Sequence, residues 1–176
     1  MRRFAVVCVL VLILPAVLCG LGQKAPDFVL VSGDEKSVTL ATFTDQVVLC
    51  FYESRKSAGL NRDFKDALKA SNKQTHALEK GVVVLAVADC SASFPLVKGL
   101  WEKGLIDKSA QEGFPVYGDW TGKMRDSYGF GKNESNFVII DRNKTIRYHI
   151  AGKITPEETG RIINVIKALV AEQPVI

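Results

Sequence analysis

Four cysteines, two histidines and a short run of hydroxyl and cationic side chains are the groups of this 176-residue chain best suited to chemistry. The thiols are Cys8, Cys19, Cys50 and Cys90, and no two of them form a Cys-x-x-Cys pair. Dithiol exchange requires a second thiol close to an exposed, acidified one. Cys50 lies inside the apolar run Val47–Tyr52, where a thiol behaves as a small buried hydrophobe. Cys90 follows Asp89 at the end of a second apolar run, Val82–Ala88, and is the candidate for a single reactive thiol. If the two runs are parallel strands ending level near Tyr52 and Asp89, the cysteines are offset by about three residues, roughly 10 Å. A disulfide needs Cα atoms within about 7 Å, so both thiols are expected to be free.

Ser54, Arg55, Lys56 and Ser57 form a second constellation. Two cations and two hydroxyls precede a segment with helical periodicity, and the free N–H groups and dipole of a helix start favour phosphate, sulfate or a carboxylate. The alternative is a solvated loop in which Ser54 or Ser57 caps the helix. Asp89, Ser135 and Asn136 are expected on the neighbouring surface. His76 and His149 are distant in sequence, and neither has Cys, Asp or Glu at ligand spacing, so no metal site or cofactor is expected. Asp89, Asp119 and Asp141 end strands or begin turns, where local capping accounts for them. Trp101 and Trp120 read as core or rim aromatics.

The elements that must position these groups follow from periodicity. Phe28–Val31 and Ser37–Leu40 flank Ser32-Gly33-Asp34 and predict a hairpin. Val47–Tyr52 and Val82–Ala88 are near-continuous apolar runs, the mark of strands covered on both faces. Asn61–Lys80 carries Phe64, Ala67, Leu68 and Ala70 at helical spacing and stops at Gly81. Phe94–Ile106 is expected to be a helix with Phe94, Val97, Leu100, Trp101 and Leu105 on one buried face. A short strand at Phe114–Tyr117 precedes alternating strands at Asn136–Ile140 and Thr145–Ala151. Thr155-Pro156-Glu157-Glu158 is a capping box with proline at the first helical position, opening the last helix. The expected order is β-β-β-α-β-α-(β)-β-β-α, in one domain.

The N-terminus is a separate matter. Arg2 and Arg3 precede the apolar stretch Phe4–Leu18, the layout of a signal peptide over residues 1–20, with the domain spanning 21–176. About 15 apolar residues fall short of the ~20 that span a bilayer, so no stable membrane span is expected. Val17-Leu18-Cys19 and Leu18-Cys19-Gly20 both offer a cleavage point. Leu18 is large for the residue before a lipidated cysteine, so ordinary export is expected rather than a lipid anchor at Cys19. Losing Arg2 and Arg3 lowers the formal charge from +4 to +2. Basic residues alternate with acids along the chain, which leaves no stripe for nucleic acid and no polybasic membrane patch.

Two segments carry a resemblance to a known superfamily. Gly22-Gln23-Lys24-Ala25-Pro26-Asp27-Phe28 and Phe114-Pro115-Val116-x-x-Asp119-x-x-Gly122, continuing to Tyr128-Gly129, are similar to peroxiredoxins and TlpA-like redoxins. Within that group the chain most resembles the YtfJ-type periplasmic proteins. The residues concerned are Ser54-Arg55-Lys56-Ser57-Ala58, Ala67-Leu68-Lys69, Glu134-Ser135 and Gly152-Lys153-Ile154-Thr155-Pro156-Glu157-Glu158. The resemblance implies an α/β, thioredoxin-like fold, a central mixed sheet flanked by helices, with an N-terminal β-hairpin extension. It also implies a periplasmic or secreted location. At the positions matching the superfamily's Cys-x-x-Cys stand Lys56 and Gly59, and its cis-proline position falls at Ser135 or Asn136. The peroxidase pattern of Thr and Pro ahead of a cysteine is likewise missing from Glu53–Gly59. The expectation is an exported protein that works by binding a protein or a small anionic ligand. The alternative is a one-cysteine redoxin, a peroxidase or thiol-disulfide oxidoreductase, using Cys90.

Overall fold

Val47–Glu53 (β3) is the spine of the molecule, and six of its seven residues are buried. The computed structural model describes residues 20–75 and 81–172. Nearly all of the expected signal segment, and His76, therefore lie outside the described residues.

The sheet has seven strands in the order β2-β1-β5-β4-β3-β6-β7. They are β1 (Val29–Ser32), β2 (Ser37–Thr39), β3, β4 (Val82–Asp89), β5 (Val116–Asp119), β6 (Asn136–Ile140) and β7 (Ile146–Ala151). β3, β4 and β5 run parallel, while β1, β2, β6 and β7 make antiparallel pairs. Parallel neighbours need crossovers, and these pass through α1 (Arg62–Thr75) and α2 (Lys98–Glu112). Right-handed crossovers made in the same direction put both helices on one face of the sheet. There α4 (Pro156–Ala171) packs beside α1 over Phe51, Phe137 and Ile139. The opposite face is covered by α3 (Lys123–Tyr128) and the N-terminal segment, through Met124, Tyr128, Phe28 and Phe130.

Each layer has an aromatic centre. Phe51, Phe64 and Phe137 stack with ring centroids 4.8–5.8 Å apart on the side of α1 and α4. Tyr52, Phe130 and Tyr128 do so at 5.0 and 5.2 Å on the other. Such pairs add about 0.5–1.5 kcal/mol beyond their burial.

Four expectations need correction. The six-residue helix α3 lies between β5 and β6, where none was expected; its apolar residues are too few to show a helical period. The helix expected from Phe94 starts at Lys98, after a 3-10 turn at Pro95–Val97, because proline at the first position of that turn sets its geometry. Of its supposed buried face, Leu105 is buried, but Phe94 is 55% and Leu100 71% exposed. The capping box is half formed: Thr155 Oγ1 accepts from Glu158 N–H at 3.2 Å, while the Glu158 carboxylate turns to Tyr148 and Arg161. Gly113 ends α2 in the left-handed region at φ 79°, its N–H bonded to Ser109 O at 2.9 Å. No described helix is long and apolar enough to cross a membrane.

Candidate functional site

Strands β3 and β4 both point their carboxyl ends at the same edge, where open α/β sheets place their ligands. Between β3 and α1 runs a turn-rich loop from Ser54 to Asn61. It is closed by its own hydroxyls. Ser54 N–H donates to Ser57 Oγ at 2.9 Å, the two Oγ atoms are 3.1 Å apart, and Ser57 Oγ lies 3.1 Å from the Glu134 carbonyl oxygen. Both serines are buried, whereas Arg55 and Lys56 point to solvent and make no ion pair or hydrogen bond among the described residues. The first helical residue is Arg62, so the loop carries these cations ahead of the helix rather than onto its first turn.

The end of the loop is held by a residue the sequence did not single out. Asn61 Nδ2 donates to Ser135 Oγ and to the Gly152 carbonyl, both at 2.9 Å, and its Oδ1 accepts from Ile154 N–H at 2.8 Å. Ser135 Oγ donates onward to Glu53 Oε1 at 3.2 Å, and Glu53 Oε2 accepts from Lys65 Nζ at 2.7 Å. Lys65, Glu53, Ser135 and Asn61 thus form one polar chain across the start of α1. Ser135 is almost fully buried, so it supports the loop from beneath instead of lining a surface. Asn136 is fully buried as well. Its Oδ1 lies 3.4 Å from His149 Nε2, and its Nδ2 has no partner among the described residues.

A second polar cluster gathers at the end of β4. Asp89 Oδ1 accepts from Ser91 N–H at 3.0 Å and from Ser91 Oγ at 2.6 Å. Arg125 of α3 donates to Ser91 Oγ at 2.7 Å and lies 3.4 Å from Asp89 Oδ2. Asp119 Oδ2 accepts from Tyr52 OH and from Arg125 N–H, both at 3.2 Å. Burial raises the Tyr52 phenol first, and the Asp119 and Asp89 carboxylates add to it. Sequence reasoning missed Tyr52 and Arg125 because Tyr52 reads as one more apolar strand residue and α3 carries no periodic signal.

Neither described cysteine is disulfide-bonded. Cys50 pairs in register with Leu85, so Cys90 stands five residues beyond that partner, a larger offset than expected from strands ending level. Burial pushes the Cys50 thiol up, and burial with the charges of Asp89 and Asp119 pushes Cys90 up to about 12. Both are fully buried. A Cβ at Gly118 would sit 2.8 Å from Trp120 Nε1 and 3.1 Å from Cys90 Sγ, so the glycine makes room for the indole first and for the thiol beside it. Such thiols are protonated at neutral pH and poor nucleophiles. All described peptide bonds are trans, including the one entering β6 at Ser135-Asn136. Among the described residues, no three His, Cys, Asp or Glu side chains are grouped to hold a metal ion.

The sequence profile described as the AhpC/TSA family matches residues 21–149. Solved structures share the fold. A protein from Chlorobium tepidum provisionally assigned as the thiol:disulfide interchange protein DsbE is 22% identical with a TM-score of 0.64, over 86% of this chain and 99% of that one. A protein from Bacteroides thetaiotaomicron provisionally assigned as a protein disulfide isomerase is also 22% identical, with a TM-score of 0.65 over 88% and 92%. The exposed lipoprotein thioredoxin of Streptococcus pneumoniae is 20% identical with a TM-score of 0.58 over 82% and 100%. No curated protein matches the chain. These likenesses establish a thioredoxin-like fold, with the β1–β2 hairpin as its N-terminal extension.

Proposed function

The chain belongs to the AhpC/TSA family, and from that premise we propose that it is an exported binding or accessory protein of the cell envelope that runs no dithiol chemistry. One observation carries the reading. The loop that would have to present a reactive thiol is closed by Ser54, Ser57, Asn61 and Ser135, while both described thiols lie buried in the core. The partner is a protein or a small anionic ligand, met by Arg55 and Lys56 on the loop and by Asp89–Ser91 beside it. Ser54–Ala58 and Gly152–Glu158 support kinship with YtfJ-type periplasmic proteins, and Arg2, Arg3 and Phe4–Leu18 support export.

The test is insulin reduction and peroxide consumption by the full chain expressed in a host that exports it, with the mass of the recovered protein reporting processing. The expected result is no turnover above background and a mass lacking about the first twenty residues. Dithiol turnover would overturn the binding reading. Peroxide consumption that disappears in Cys90→Ser would replace it with the one-cysteine redoxin.

A further inference from the structure

Between α1 and α2 the sheet is left partly uncovered, and the space is a groove of about 840 Å³. Its floor is Phe51 with Val84, Ala86 and Ala88 of β4, and its walls include Leu68, Leu100, Trp101 and Leu105. The depth comes from small residues. Ala86 and Ala88 stand where larger side chains would reach toward the helices, and a Cβ built on Gly104 of α2 meets nothing within 4 Å. The volume falls in the range of about 300–1,000 Å³ typical of small-ligand sites.

The groove is apolar inside and cationic at its rim. Arg55, Lys65, Lys69 and Lys108 line it against only two carboxylates, Glu53 and Glu112. The two ends differ. At one, Lys69 and Lys108 both reach Glu112, at 3.6 and 2.7 Å, and this joins α1 to α2. At the other, Lys65 is held by Glu53, which leaves Arg55 as the cation without an ionic partner among the described residues. A site bridged at one end, with an unpaired cation at the other, suits a molecule having one anionic end and one apolar tail. It suits a partner helix poorly, because the bridge blocks a rod that would run the length of the groove.

We propose that this groove binds a single-chain fatty acid, the tail along Ala88, Ala86 and Val84 and the carboxylate at Arg55. The proposal rests on the binding reading above and names the ligand class for the region beside the same loop. The two fail separately: dithiol turnover bears on the first alone, and acyl titration on the second alone.

The full chain is titrated with decanoate, dodecanoate and tetradecanoate below their micelle concentrations, read by the fluorescence of Trp101 in the groove wall. Saturable binding that tightens by up to about fourfold per methylene is expected. Gly104→Leu should weaken it by roughly tenfold or more, since the leucine side chain displaces about three to four methylenes of tail. The same variant should raise the thermal midpoint, because leucine is a better helix former than glycine, so lost binding is not lost folding. Arg55→Gln should weaken dodecanoate by about two- to fivefold and leave dodecanol unchanged. No saturable binding, unchanged affinity in Gly104→Leu, or equal effects of Arg55→Gln on acid and alcohol would each overturn the proposal.

Discussion

On one face of the sheet, Leu85 and Val87 of β4 share a core cluster with Tyr52, Met124, Tyr128 and Phe130 and are at most 2% exposed. On the other face of the same strand, Val84, Ala86 and Ala88 remain half-buried, because α1 packs against α4 and leaves α2 apart. Between Val84 and Ala88, alternate residues of one strand therefore report two different covering layers. A central parallel strand is normally closed on both sides, so its open side is the unusual one. The hydrogen bonds of Asn61 to Ser135, Gly152 and Ile154 hold the start of α1 toward the β6–β7 side, and thus help keep the groove from closing.

The sharpest way to break this contrast is one substitution made on both sides. Leu85→Ala on the sealed face should cost about 2–5 kcal/mol in urea unfolding, through lost transfer energy and a cavity. Leu100→Ala on the groove lip should stay within about 0.5 kcal/mol, since that side chain is largely in water already. Equal losses would mean the two faces are packed alike. Next in size, Asn61→Ala should cost about 1–3 kcal/mol by leaving buried partners unsatisfied. Amide exchange at Ile154, whose N–H it accepts, should speed up with it.

The smallest effect concerns acid. His149 packs against Phe130 on the sealed side, and burial lowers its pKa below the usual value near 6.5. The groups facing it are the Asn136 amide and the Phe130 ring, and neither carries charge. With the folded pKa depressed, the unfolded chain binds the proton more readily below about pH 6.5, so stability is full above that pH and falls as acid is added. His149→Gln should flatten this limb of a stability-against-pH curve. An unchanged limb would show that the sealed face tolerates the charge.

Much of the scaffold was legible in the chain. The unbroken apolar run at Val47–Tyr52 and the apolar stretch at Asn136–Ile140 predicted β3 and β6 almost to the residue, although the alternation expected of β6 is absent, since all five of its residues are buried. The failures share a cause. Periodicity marks which side chains lie on one face of an element, and it is silent about whether anything covers that face. Phe94 and Leu100 had the spacing of a buried stripe and turned out exposed. Asn61, Ser135, Tyr52 and Arg125 are joined through contacts between residues far apart in sequence, which spacing does not encode.

The antiparallel pairing of β1 with β5 ties Val31 to Gly118, and the indole N–H of Trp120 reaches the Val31 carbonyl at 3.1 Å. The hairpin that emerges first, whether from a ribosome or from a translocation channel, must therefore wait for residues made long afterwards before its inner edge is paired. Until then β1 offers free backbone groups to any other strand, the hazard of an open edge in a fold dominated by distant contacts. The segment from α2 to β5 is thus the piece whose arrival completes the sheet on that side, and slow delivery of this one stretch should be the step at which the chain is most prone to pair wrongly.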